Sequence, residues 1–184
     1  MRSGEAMQTE VLAFWFDEID PKSWWSAEPA FDETVRKRFA ETLRAASRCE
    51  LSDWRETARG RLAEIIVLDQ FSRNIHRDSP LAFAQDALAL ALAQEAVRRE
   101  VHLALSPVER GFLFLPYMHS ESARIHETAE ALYLAHGLPE NLDFERRHRA
   151  IIERFGRYPH RNAVLGRAST AEEQAFLQQP GSSF

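Results

Sequence analysis

Apolar residues recur every three to four positions along nearly the whole chain, and no stretch alternates apolar with polar residues for long. That periodicity belongs to helices with one buried stripe, and it excludes a sheet-built core. Helix boundary signals divide the 184 residues further. A first helix is predicted over Gln8–Phe16. A second opens at Pro29, with Val35, Phe39, Leu43 and Ala46 on one stripe. A third carries Leu62, Ile65, Ile66 and Leu68, with Gly60 marking a break before it. Ser79 and Pro80 read as the cap and first turn of a helix to about Arg99.

The firmest start is Ser106-Pro107-Val108-Glu109, a capping box with proline at the first helical position. Pro116 should kink or end that helix, because it lacks an amide donor and clashes one turn back. Further helices are predicted from Ser120 to His136, stopped by Gly137, and from Asp143 to Phe155, stopped by Gly156. Thr170-Ala171-Glu172-Glu173 is a second capping box and opens a short last helix. About eight helices with short connections make an all-α chain of antiparallel helix hairpins, in a bundle or short solenoid. The expected organisation is one domain over 1–184, with 1–7 and 180–184 frayed. The four Trp residues with Phe14, Phe16 and Phe31 are predicted to be core.

Composition narrows the function classes. A net charge of −5 opposes general binding to nucleic acid or membrane surfaces. The longest apolar runs, Val11–Phe16 and Ala87–Ala93, fall well short of the ~20 residues of a membrane span. The N-terminus carries Glu5 and Glu10 without the apolar run of a signal peptide, and Cys49 is the only cysteine. A cytoplasmic protein without disulfides is expected. Positive charge is almost all guanidinium, since Lys22 and Lys37 are the only lysines. Between Glu145 and Arg167 there are seven Arg and two acids, both Glu.

Titratable residues on apolar faces point to where chemistry could sit. Asp69 follows Leu62 and Ile65 by helical spacing, His148 precedes Ile152 and Phe155, and His119 follows Phe112 and Leu115. Buried without partners, such groups cost about 1–3 kcal/mol each, so partners are expected among Arg73, Glu121, Arg157, His160 and Arg161. Phe71-Ser72-Arg73-Asn74-Ile75-His76-Arg77 and Phe155-Gly156-Arg157-Tyr158-Pro159-His160-Arg161 also repeat the pattern F-x-R-x-x-H-R. Both copies fall where a helix gives way to a loop. Cations there complement the helix dipole, and Asp69 with Arg73, and Glu153 with Arg157, stand at i,i+4. Two helix ends tied by ion pairs are therefore one reading of the repeat. Asp32 reads as a first-turn acid, and Asp86 as solvated or in a hairpin contact.

Three blocks carry a resemblance: Asp69-Gln70-Phe71-Ser72-Arg73-Asn74, Leu115-Pro116-Tyr117-Met118-His119-Ser120-Glu121, and Phe155-Gly156-Arg157-Tyr158-Pro159-His160-Arg161-Asn162. With Phe14-Trp15-Phe16, Trp25 and Leu165-Gly166-Arg167, they resemble a bacterial family known only as domain-of-unknown-function family 924. The resemblance covers essentially the whole chain. It implies an all-α fold similar to tetratricopeptide repeats, although the W-x₂-L-G-x₂-Y consensus is absent. It brings no activity. Its signature positions carry over as Asp69, Gln70, Arg73, Asn74, His119, Glu121, His148, Arg157, His160, Arg161 and Asn162. Relatives are expected to carry Gln where this chain has His126, which argues against His126 as an essential ligand. Tyr158 stands for a common Phe, implying packing with a spare hydroxyl.

The first functional expectation is binding of a small anionic or polar metabolite, or a peptide carboxylate. Arg73, Arg157 and Arg161 would clamp the anion, with Gln70, Asn74, His148 and Asn162 lining the site. The alternative is an acid–base, hydrolase-like enzyme using Asp69, His119, Glu121 and His160. No metal or cofactor is assigned: His119, Glu121, His148 and His160 could offer ligands, but no metal-binding spacing is present.

Overall fold

The computed structural model describes Gly4–Ser183, and among these residues the fold is all-α, without a strand. Two compact units divide the chain. The first runs to Arg77 and resumes over Leu81–Pro116; the second takes Asp78–Pro80 and everything from Tyr117.

In the first unit, α1 (Gly4–Ala13) continues as a π-helical turn over Phe14–Glu18. Helix α2 spans Pro29–Ser47 with proline in its first turn. Helix α3 (Ala58–Ile66) passes through a second π-helical turn, Val67–Phe71, into α4 (Ser72–Ile75). Helix α5 is Asp86–Arg98, and α6, Pro107–Met118, ends the unit at Pro116. Every residue from Gly60 to Ser72 is buried, so α3 and its π turn form the central rod. Aromatic rings lock the neighbouring helices on it: Phe14 and Phe39 lie 5.0 Å apart, Phe39 and Phe71 4.7 Å, and Trp15 and Phe71 5.5 Å. Of the residues predicted as core, Trp15, Trp54 and Phe14 are buried and Trp24, Phe16 and Phe31 partly so. Trp25 is not core. It is 65% exposed and lies flat against Phe112.

A rod buried on all sides must satisfy its own polar residues. Glu64 takes a bidentate pair from Arg55 at 2.7 Å, and Arg61 bonds Glu95. Gly60 does not break the helix but lies in its first turn, where its amide meets the Thr57 cap at 3.0 Å. It is needed for close approach, since a Cβ there would collide with the Trp54 carbonyl and Gln8 Oε1.

The second unit is organised by α7 (Ala123–Ala135) and α8 (Pro139–Phe155), joined through Gly137 in the left-handed region. Only three residues, His136–Leu138, link the two helices, which folds them back as an antiparallel hairpin, and His126 with Glu145 and Arg146 and Arg149 with Glu130 bond them together. Gly156, also left-handed, ends α8 and donates to the Ile152 carbonyl at 2.8 Å. A loop and a 3₁₀ turn (Pro159–Arg161) lead to α9, Ala171–Leu177. Ile151, Ile152 and Tyr158, with Phe155 and Phe176, form its apolar cluster.

Both predicted capping boxes are formed, Ser106 with Glu109 and Thr170 with Glu173. Several boundaries move. Pro80–Phe83 is only a 3₁₀ turn, and its helix starts at Asp86. Helix α8 begins at Pro139 rather than Asp143, and α7 at Ala123 rather than Ser120. Helix α6 runs two residues past Pro116. At the ends, Gly4–Met7 belong to α1, and Ser182 is buried with its hydroxyl donating to the Leu177 carbonyl.

Gly60→Ala is expected to destabilise the protein by about 1–3 kcal/mol, the usual range for overpacking. A Gly→Ala change in an open helix would instead stabilise it by up to about 1 kcal/mol. Denaturant unfolding followed by circular dichroism distinguishes the two signs.

Candidate functional site

The predicted site residues fall into both units. Asp69, Gln70, Arg73 and Asn74 belong to the first; His119, Glu121, His148, Arg157, His160, Arg161 and Asn162 belong to the second.

In the first unit, Asp69 is buried within the π turn and accepts from the Gln70 amide at 2.6 Å. Arg73 reaches the Asp69 carbonyl at 2.5 Å and its carboxylate at 3.4 Å. It also bonds Asp86, which is thus an ion-pair partner rather than a solvated residue. Asn74 donates to Asp32 at 2.9 Å, and Arg77 grips the same carboxylate with two nitrogens. Burial works to raise the Asp32 pKa, but the bonds from Arg77 and Asn74 hold it below the ordinary carboxylate value. Asp32 is therefore a buried anchor, and the first copy of the F-x-R-x-x-H-R repeat is pinned by acids distant in sequence.

In the second unit the repeat is used differently. Arg157 does not pair with Glu153, which bonds Arg149 instead. It makes a bidentate pair with Glu173 at 2.6 and 2.8 Å and donates to the Ala168 carbonyl. The Arg157 bonds, with the Thr170 amide, hold the Glu173 carboxyl down at about 2. Arg167 takes Glu121 in the same bidentate way at 2.7 and 2.9 Å, and its other bonds reach Asn162 Oδ1 and the Tyr158 carbonyl. Asn162 in turn donates to Ser169. The Tyr158 amide adds a bond to Glu121 at 2.7 Å. Burial would raise the Glu121 pKa, yet Arg167, the Tyr158 amide and nearby Arg161 keep it lowered.

The segment between α6 and α7 is gripped from within. The Met118 carbonyl accepts from the Tyr158 hydroxyl at 2.5 Å, the His119 carbonyl from Arg161 Nη2 at 3.1 Å, and the Ser120 carbonyl from His126 Nε2 at 2.8 Å. Three successive carbonyls thus each meet a buried side chain. The Tyr158 hydroxyl is not spare, as its replacement of Phe had implied. It also lies 3.2 Å from His126 Nε2. Around the same ring, Arg161 stacks at 4.7 Å, and His148 and His160 stand at 5.8 and 5.6 Å. The grip leaves the His119 side chain half-buried, like Glu121 and His160.

His148 is buried on α8, with Nδ1 2.8 Å from the Phe144 carbonyl. A carbonyl only accepts, so Nδ1 carries the hydrogen. Desolvation drives its pKa down to about 3 despite that bond, and the imidazoles of His119, His126 and His160 push the same way. His148 is neutral at physiological pH. Sequence reasoning missed His126 and Glu145: they lie 2.7 Å apart, both fully buried, and burial raises the Glu145 pKa against the pull of His126. Their signal was faint, since only a known α7–α8 register would have aligned them. Among the described residues, no three His, Cys, Asp or Glu side chains converge in a way that could hold a metal ion.

The sequence pattern defining a family of bacterial proteins of unknown function, DUF924, matches residues 11–181. The chain belongs to this family. A protein of unknown function from Agrobacterium tumefaciens, whose structure is solved, is similar to this DUF924 member with a TM-score of 0.90 and 38% identity. That likeness covers 96% of this chain and 99% of the other. No curated protein sequence matches it.

The depressed His148 pKa sets an acid limit on stability. Between about pH 6.5 and 3, the unfolded chain binds a proton at this imidazole that the folded chain refuses, so stability falls as pH falls. The loss is about 1.4 kcal/mol for each pH unit in that window. His148→Gln, which keeps a donor for Phe144, is expected to lose visibly less stability over the same range. Urea melts at several pH values read the difference in slope.

Proposed function

We propose that the second unit binds a small anionic or polar molecule, or a peptide carboxylate, at the half-buried edge formed by His119, Glu121 and His160. The observation that carries this reading is the triple grip on Met118, His119 and Ser120. Burying Tyr158, Arg161, His126 and Glu145 to hold one short backbone segment costs desolvation that an apolar core would avoid. Such supporting shells are what precise sites require. Two imidazoles at the edge supply N–H donors suited to carboxylate or phosphate oxygens.

The geometry shifts the weight away from an arginine clamp. Arg157 is committed to Glu173, and Arg73 to Asp86 and Asp69, so these guanidiniums support the fold. Arg161 acts through the His119 carbonyl. For the acid–base alternative, Glu121 is a weak candidate because both its oxygens accept charge-assisted or amide bonds. Any proton transfer here falls to His119 or His160, close to the neutral His148. The antiparallel α7–α8 hairpin supports reading this unit as tetratricopeptide-like. No helix among the described residues is long and apolar enough to cross a membrane. We place the protein in the bacterial cytoplasm, where Cys49, exposed, would stay reduced.

Inorganic phosphate, acetate and short peptides in a thermal-shift series test the reading. Stabilisation should follow ligand mass action, about 2.7 kcal/mol at a hundredfold excess over Kd. His119→Ala and His160→Ala should abolish the shift, while Arg157→Ala lowers the starting Tm but keeps it. If no anion moves the Tm, or the shift survives both histidine variants, the binding site is not here.

A further inference from the structure

Donor and acceptor counting around His126 defines its protons. Nε2 lies 2.8 Å from the Ser120 carbonyl, which can only accept, so Nε2 carries a hydrogen. The Tyr158 hydroxyl gives its own hydrogen to the Met118 carbonyl at 2.5 Å and offers Nε2 only an oxygen. The remaining contact is Nδ1 to Glu145 Oε1 at 2.7 Å, which requires one hydrogen between them. The other carboxyl oxygen, Oε2, is buried without a hydrogen-bond partner. An anionic oxygen left bare in the interior is costly, whereas the carbonyl oxygen of a neutral acid tolerates it better.

We propose that His126 and Glu145 share a single proton and act as a positioning pair, a proton-controlled clasp on the segment that carries His119. While the proton is present, Nε2–H holds the Ser120 carbonyl. When it leaves to solvent, the Nδ1 lone pair would face a carboxylate, and the imidazole moves its remaining hydrogen from Nε2 to Nδ1 to bond it. Nε2 is then a bare acceptor against the Ser120 oxygen. The Tyr158 hydroxyl can satisfy it only by abandoning Met118. Loss of one proton thus loosens two of the three carbonyl grips. The charged and titratable groups facing the pair are Glu130 from α7, Arg149 and His148 from α8, and Tyr158 with Arg161 from the following loop; His119 and His160 act on His148. Glu130 opposes loss of the proton and Arg149 favours it. The clasp's effect on ligand rests on the binding reading above; the clasp itself does not.

The direct test is ¹⁵N NMR of the histidine side chains of the full chain. In wild type, the His126 Nε2–H signal should give way to Nδ1–H as the pH is raised, and amide protection factors at His119–Glu121, corrected for base-catalysed intrinsic exchange, should fall in step. In Glu145→Gln the side-chain amide donates to Nδ1 and cannot titrate, so Nε2–H and the protection factors should persist. His126→Gln, which also donates to Ser120 and has no tautomer, should likewise keep its protection factors as the pH rises, and serves through that readout if Glu145→Gln fails to fold. A wild-type signal that does not change, or a variant that titrates as wild type does, overturns the clasp. Phosphate affinity measured alongside should fall about fivefold or more with rising pH in wild type relative to Glu145→Gln. If phosphate binds neither protein, the binding reading fails while the NMR result still decides the clasp.

Discussion

A buried carbonyl must find a donor, and at Met118, His119 and Ser120 the donors are side chains rather than helix. Met118 is the last residue of α6 and α7 begins only at Ala123, so no backbone ladder serves these oxygens. Tyr158, Arg161 and His126 do so instead, and each needs support of its own. Tyr158 is fixed by its amide on Glu121, Glu121 by Arg167, and Arg167 by Asn162. His126 leans on Glu145. The Arg-rich loop after Gly156 completes this chain of bonds, with Arg157 tying it to the capping box of α9.

The same economy governs the first unit. A central helix buried from Gly60 to Ser72 carries Arg61, Glu64 and Asp69, and each is matched by a partner from another segment or the next turn. The π turn at Val67–Phe71 inserts an extra residue per turn just where Asp69 and Gln70 fall, so α-helical spacing does not carry across it.

That difference marks what was legible beforehand. Helical class, both capping boxes and the glycine stops at Gly137 and Gly156 are local signals, readable within a few residues, and all three hold. Burial of His148 also followed from spacing, while Asp69 is buried because every residue around its π turn is. The partners did not. Glu121 and Arg167 are 46 residues apart, Asp32 and Arg77 45, and His126 and Glu145 19. Local reasoning instead joined Glu153 to Arg157, an i,i+4 pair that Gly156 makes impossible by ending the helix between them. It also set aside His126 and the Tyr158 hydroxyl, whose roles depend on a hairpin register that periodicity does not specify.

Tyr158 and its neighbours hold the Met118–Glu121 segment in place for the imidazole it carries. Amide hydrogen exchange in Tyr158→Phe measures this most directly, since the change removes one oxygen and leaves the ring. Faster exchange confined to residues 118–121, with the α7–α8 hairpin still protected, is the outcome the account requires. Unchanged exchange in that segment would contradict it.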